Sequence, residues 1–263
     1  MCLMNNYLKF QKMTTHLNLR AVAIIPARYA STRFPGKPLV DLNGKTLVQR
    51  VWEAAMNAKT LDRVVVATDD ERIALHCESI GAEYIITSAD LPSGTDRVEA
   101  AYRGLNIHAE TILNIQGDEP LLQSDLIDQL VLAMERSGAD VVTPIKKITS
   151  NEELFNPSIV KVALRNDFTA LYFSRSTIPH YRGIDKELWL SHYQYWKHIG
   201  LYAYRPHSLR RFVELQQSPL EIAESLEQLR LFADGALFQC IETDCELIAV
   251  DTPEDAERVR LFL

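Results

Sequence analysis

The sequence predicts an α/β protein, a three-layer sandwich on a mixed, mainly parallel sheet. Three observations carry this. Ala21–Ala27 (AVAIIPA) and Arg63–Asp69 (RVVVATD) are nearly continuous apolar runs, as in strands buried on both faces of a parallel sheet. Amphipathic helical patterns separate such runs through the first half of the chain. No internal repeat, low-complexity tract or Pro/Ser linker divides the 263 residues, whose 47% hydrophobic content suffices for one large core.

Each element has its own warrant. Thr46 to Ala58 places Leu47, Val48, Val51, Ala54 and Ala55 on one helical face. Asp70–Ile80 is a helix ended by Gly81. Tyr84–Thr87 is a short strand, Val98–Leu105 a helix and Thr111–Gln116 (TILNIQ) another buried strand. Ser124 is placed to N-cap a helix whose Leu126, Ile127, Leu130, Val131 and Met134 share a face, and Val141–Ile145 is a strand after it. The second half is less regular. Ile159–Leu164, Ala170–Arg175 and His198–Arg205 read as strands, with an aromatic, irregular excursion from Pro179 to Trp196. Ser218-Pro219-Leu220-Glu221 starts a helix expected to run to about Ala233, and Thr252-Pro253-Glu254-Asp255 starts the last one. Residues 21–263 are therefore expected to form a single domain. Residues 1–20 lack the apolar stretch of a signal peptide and are expected to be a flexible leader.

Composition excludes some functions. A net charge of −7 disfavours nonspecific nucleic-acid binding. The longest apolar runs are strand-sized, too short for a transmembrane helix. Cys2, Cys77, Cys240 and Cys245 form no CxxC pair, and are expected to be free thiols in a reducing cytoplasm.

The polar loops after Ala27, Asp69, Thr87 and Gln116 should meet in one crevice at the carboxyl ends of the strands. The first, PARYASTRFPGKP (Pro26–Pro38), gathers Arg28, Arg33 and Lys37 around Ser31, Thr32 and Gly36 in an otherwise acidic chain. Such a loop suits a triphosphate, which needs positive charge and closely approaching amides. Neither G-x-G-x-x-G nor G-x-x-x-x-G-K-[ST] is present, which argues against an NAD-type Rossmann enzyme and a P-loop NTPase. Asp118 directly follows a buried strand beside Gly117. A hard cation such as Mg²⁺ takes one or two carboxylates plus phosphate oxygens, and the second carboxylate is expected at Asp251, after Ile248–Val250. Thr252 is the better N-cap of the last helix, which leaves Asp251 free.

IPARYASTRFPGKPL resembles the N-terminal signature of the 3-deoxy-manno-octulosonate (Kdo) cytidylyltransferases, or CMP-Kdo synthetases. The resemblance continues in order through VATDDERI, SGTDR, NIQGDEP, ALYFSR, KHIGLYAYR, SPLEIAESLEQLR and VDTPEDAERVR, ending at Arg260. It covers essentially the whole chain after the leader. It implies a nucleotide-diphospho-sugar transferase-like, Rossmann-like fold and transfer of CMP from CTP to Kdo, with Mg²⁺ and a homodimer whose contact lies around residues 176–200. It further implies nucleotide binding by Arg28, Ser31, Arg33, Lys37, Ser93, Gly94, Thr95, Asp96 and Gln116. Asp118 and Asp251 would be the metal pair, catalytic together with Arg28 and Lys37. Gln116, Arg175, His198, Tyr202, Glu227 and Gln228 would bind the sugar acid. Read without the resemblance, Arg175, His198, Tyr202, Glu227 and Gln228 equally suit a surface ion pair, satisfied core side chains and a solvated helix face. Glu119 receives no role.

One contrast with a related family and one departure from the Kdo pattern stand out. The related CMP-sialic acid synthetases carry Gly-Ser-Lys where this chain has Ser31-Thr32-Arg33. Glu246-Leu247-Ile248-Ala249 replaces a glycine-containing stretch found in many members, which narrows the approach to Asp251. The alternatives left open are a cytidylyltransferase for an 8-amino analogue of Kdo or a sialic acid, a GT-A-type glycosyltransferase, and a non-catalytic nucleotide-binding protein.

Overall fold

The computed structural model describes residues 18–30 and 33–263, so most of the expected leader, and Ser31, lie outside the described residues. The first strand, β1 (Asn18–Ala27), starts three residues before its expected start at Ala21 and so takes in the last three residues of the expected leader. A short hairpin follows, β2 (Asp41–Leu42) and β3 (Lys45–Thr46), turning through Asn43 and Gly44, both at positive φ. Asn-Gly is a strong hairpin signal, since both central residues of such a turn take positive φ. Next come α1 (Leu47–Met56), β4 (Arg63–Thr68), α2 (Glu71–Ile80), β5 (Tyr84–Ile86), α3 (Gly94–Leu105), β6 (His108–Asn114), α4 (Ser124–Arg136) and β7 (Val141–Lys147). The second half contributes α5 (Asn151–Phe155), β8 (Lys161–Leu164), β9 (Ala170–Ser174), α6 (Trp189–His192), β10 (Trp196–His198), β11 (Tyr202–Tyr204), α7 (Pro206–Glu214), α8 (Pro219–Glu224), α9 (Gln228–Ala233), β12 (Phe238–Glu242) and α10 (Pro253–Arg260).

The large sheet runs β5-β4-β1-β6-β11-β7-β10-β8-β9, with β12 beside β7. The block β5-β4-β1-β6 is parallel, β10 and β11 pair antiparallel with their neighbours, and β12 lies parallel to β7. Strand β1 shows why the run Ala21–Ala27 is apolar throughout. Ala21, Ala23, Ile25 and Ala27 enter one core with α1, α2 and α4, whereas Val22 and Ile24 enter the other with α3, α7 and α9. The mixed sheet with helices on both faces is the expected sandwich.

Four local expectations need correction. Helix α3 begins at Gly94 with Ser93 as its N-cap, four residues before the expected start, because the Ser93 hydroxyl accepts the Asp96 N–H. Gln123, not Ser124, occupies the N-cap of α4. His198–Arg205 is not one strand: β10 and β11 flank β7 at different levels, joined by a tight turn in which the Leu201 N–H donates to the Ile199 carbonyl. The Ser218 helix does not reach Ala233 unbroken. Ser225, at φ 51, splits it into α8 and α9. The excursion 179–196 holds its own small core, in which Trp189 and Tyr195 stack over Ile148 and Leu154. Helix α10 returns to the start of the fold: Val250, Ala256 and Val259 pack with Leu42 and Leu47, and Arg260 binds the Asp41 carbonyl.

Among the described residues Cys77, Cys240 and Cys245 are free thiols, and no helix is long and apolar enough to cross a membrane. Burial pushes the Cys77 thiol up to about 11 and the Cys240 thiol up to about 12, so both are inert packing groups at neutral pH.

Candidate active site

The phosphate-loop residues approach the site from the carboxyl end of β1. Gly36 sits at φ 74, its N–H donating to the Tyr29 carbonyl, and a Cβ there would meet the Tyr29 ring at 3.0 Å. The left-handed backbone favours glycine here, and a side chain would also press on the Tyr29 ring. The turn sends Lys37 inward. Its Nζ lies 2.9 Å from Asp118 Oδ2 and 3.2 Å from Asp251 Oδ1. Arg33 pairs with the other oxygen of Asp251 at 3.1 Å, but its side chain is 67% exposed against 14% for Lys37. Exposed pairs are worth little, so Lys37 is the cation that organises the pair. Arg28, the residue directly after β1, is exposed.

The two aspartates meet although 133 positions separate them. Gly117 lets the chain after β6 press on β1: a Cβ there would lie 2.7 Å from the Pro26 carbonyl. Asp251 is not preceded by the expected strand. Instead the Val250 N–H donates to the Asp118 carbonyl at 2.9 Å, and the Asp251 N–H donates to Asp255 Oδ2 at 3.1 Å. Thr252 N-caps α10 through a capping box with Asp255, so the Asp251 carboxylate is free of capping duty, as expected. Beside the pair, Glu119 Oε2 is buried without a hydrogen-bond partner among the described residues. Burial, reinforced by Asp118 and Asp251, pushes its carboxyl up to about 8.

Across the crevice, Ser93–Asp96 forms the first turn of α3 rather than a loop. The Ser93 hydroxyl donates to Asp96 Oδ2 at 2.6 Å, and Gly94 lies against Pro26 and Gln116. Thr95 is 4% exposed, with its hydroxyl bonded to Asn114 and Glu227, so its side chain does not face a nucleotide as expected. Arg97, quoted in the SGTDR block but given no role, is the anchor of this turn. It is buried and donates to Asp69 Oδ2 at 2.9 Å and Thr87 Oγ1 at 2.6 Å, tying the ends of β4 and β5 to α3. The signal lay in the Asp-Arg of that block and the Thr-Asp after β4.

The sugar-side residues are only partly assembled as expected. His198 and Tyr202 do share a side, with ring centroids 5.4 Å apart, but they belong to two strands rather than one. His198 lies 2.9 Å from Thr143 Oγ1, and burial pushes its imidazole down to about 3, so the ring is neutral at physiological pH. Glu227 Oε2 accepts the Thr95 hydroxyl at 3.1 Å. Although Glu227 is exposed by area, protein surrounds its carboxyl and partial loss of water raises its pKa, as in the wall of an open crevice. Gln228 is 5% exposed, and its Nε2 has no partner among the described residues. Arg175 departs from expectation. Its guanidinium donates to the carbonyls of Glu224 (2.7 Å), Pro157 (3.2 Å) and Ser225 (3.3 Å), so it braces the α8–α9 break instead of standing free for a carboxylate.

A cation-lined loop facing paired carboxylates at the carboxyl ends of the strands of such a sheet suits transfer of a nucleotide from its triphosphate, and the fold and site together define a nucleotidyltransferase. A family model described as "Cytidylyltransferase" matches residues 22–243. The chain belongs to that family and, within it, to the 3-deoxy-manno-octulosonate cytidylyltransferases. One relative of that name, from Cytophaga hutchinsonii, is 46% identical over 92% of this chain and 97% of its own. A solved CMP:2-keto-3-deoxy-manno-octonic acid synthetase complexed with CTP is 39% identical, with a TM-score of 0.86 over 92% of this chain and 98% of that one. A 4-diphosphocytidyl-2C-methyl-D-erythritol synthase from Anaerococcus prevotii, 12% identical, shares the fold at a TM-score of 0.62, covering 93% of this chain and 96% of that one.

Proposed function

We propose that this chain transfers CMP from CTP to the anomeric hydroxyl of Kdo, releasing pyrophosphate, and so activates Kdo in the cytoplasm for lipopolysaccharide synthesis. The observation that carries the reading is the convergence of Asp118 and Asp251 on one cation, the Lys37 ammonium. The sugar assignment is supported by the relatives' names across almost the whole chain. A cation already bridges the two carboxylates, and two carboxylates completed by phosphate oxygens make a suitable Mg²⁺ donor set. Asp118 and Asp251 would hold that ion, which on binding would neutralise triphosphate charge and acidify the attacking hydroxyl.

The remaining work falls to the chain. Arg28, Arg33 and Lys37 neutralise and orient the triphosphate, Ser93, Gly94 and Asp96 hold the nucleoside, and Gln116 lies between the two substrates. His198, Tyr202, Glu227 and Gln228 place the sugar for in-line attack: its hydroxyl oxygen bonds to the α-phosphorus as the bond to pyrophosphate breaks. Positioning and fixed charge supply most of the rate, so no covalent nucleophile is needed.

The test is pyrophosphate release with each of four nucleoside triphosphates crossed against Kdo, its 8-amino analogue and sialic acid. CTP with Kdo is expected to dominate. Equal turnover with UTP or ATP would overturn the assignment of the α3 turn, and preference for another acid would move the chain to that substrate. We also propose a homodimer formed near residues 176–200, where Leu188 (51% exposed) and Tyr193 (37% exposed) leave apolar surface in solvent. Light scattering at micromolar concentration is expected to give twice the chain mass, and a monomer would refute it.

A further inference from the structure

Asn114 is the last residue of β6 and is fully buried in the middle of the sheet, between Ile24 of β1 and Tyr202 of β11. A buried carboxamide must satisfy its donors and its acceptor inside the protein. Asn114 does so along one line. Its Nδ2 donates to Thr95 Oγ1 at 3.2 Å, and its Oδ1 accepts Gln116 Nε2 at 3.3 Å. The Thr95 hydroxyl in turn donates to Glu227 Oε2 at 3.1 Å.

The direction of every link follows from the last one. The Thr95 hydroxyl gives its single proton to Glu227 Oε2. Thr95 Oγ1 must then accept, so Asn114 turns its NH₂ toward Thr95 and its oxygen toward Gln116. Gln116 answers with its own NH₂, which leaves its Oε1 as an acceptor, beside Gly94 at the start of the nucleotide turn. Bonds aligned head to tail polarise and strengthen one another.

We infer that Asn114 and Thr95 are positioning residues that couple the two substrate subsites through the chain Gln116–Asn114–Thr95–Glu227. Neither need touch a substrate. Together they present the carbonyl of Gln116 to the crevice, so the ligand group it meets is a donor such as a hydroxyl or an amine. They also aim the Glu227 carboxylate. Thr95 thereby moves from the nucleotide-reading set to the framework linking nucleotide and sugar. This rests on the proposed roles of Gln116 and Glu227 toward CTP and Kdo.

Two measurements on the full chain test it. Thr95→Val keeps the shape and removes the hydroxyl. It is expected to raise KM for Kdo roughly tenfold, as for loss of one hydrogen bond to a charged group, and to move KM for CTP much less. Combined with Glu227→Gln it should add little, because both act on one chain. Equal rises in both KM values, additive with Glu227→Gln, would mark Thr95 as a plain packing residue and overturn the inference. The second measurement needs no substrate: side-chain amide NMR of Asn114 and Gln116. Both amides should shift in Thr95→Val and again in Glu227→Gln, and an unmoved Gln116 amide in both variants would overturn the chain. If the wild type fails to make CMP-Kdo while the amides respond, the proposed substrates are wrong and the chain stands.

Discussion

Asp118→Asn and Asp251→Asn are each expected to slow CMP transfer by on the order of 10²–10³, the usual loss when a main electrostatic stabiliser is removed. Asparagine keeps the shape of each side chain and removes its charge. The Asp118 carbonyl, which holds the Val250 N–H, is untouched by the substitution. The fold should therefore survive while the cation site weakens. Because both carboxylates serve one position, the double variant should be little worse than either single one. Single-turnover formation of CMP-Kdo at several Mg²⁺ concentrations is the measurement, with circular dichroism as the folding control. A near wild-type rate in a folded single variant would remove that residue from the site.

Lys37→Ala should produce two opposite effects. Turnover with CTP should fall, because a charge-assisted contact worth about 1.5–3 kcal/mol is lost, roughly 10- to 100-fold in kcat/KM. Affinity for Mg²⁺ without nucleotide should rise. The ammonium now occupies the position between Asp118 and Asp251, so a metal ion must displace it. Without it, two like charges face each other and recruit a cation more readily. Calorimetric titration of Mg²⁺ into both proteins without CTP separates the effects. Unchanged or weaker Mg²⁺ binding would show that Lys37 does not compete for that position. In the Mg²⁺ titration without CTP, Arg33→Ala, which breaks a mostly exposed pair with Asp251, serves as the small-effect comparison.

The parallel half of the fold was legible because burial on both faces leaves its mark residue by residue. Ala21–Ala27 and Arg63–Thr68 had little other option than to be central strands. Asp118 was legible for the same reason, since a carboxylate directly after such a strand points into the crevice. The antiparallel half was not. The aromatic pattern around His198–Tyr204 continues through the turn that divides β10 from β11, and apolar periodicity cannot register a turn made by backbone bonds. The break at Ser225 was equally hidden. Its left-handed backbone is unusual for a non-glycine residue, and it is braced by Arg175, fifty positions away. The clamp role of Arg175 was hidden for the same reason, because the carbonyls of Pro157, Glu224 and Ser225 come beside it only in the folded chain. Thr95 and Asn114 look like ordinary polar residues until the sheet brings them together.

The return of α10 to the 41–46 hairpin has a bearing on biogenesis. Leu42 and Leu47 wait for Val250, Ala256 and Val259, partners more than two hundred positions downstream. Contacts of such long range form late, and synthesis proceeds from the N-terminus. On the ribosome, the parallel strands and the cationic loop can therefore be in place while the second carboxylate is still in the exit tunnel. On the roles proposed above for the cationic loop and the two aspartates, the growing chain would meet triphosphates before it could hold a metal ion against them, and would become competent for chemistry only when its last helix docks.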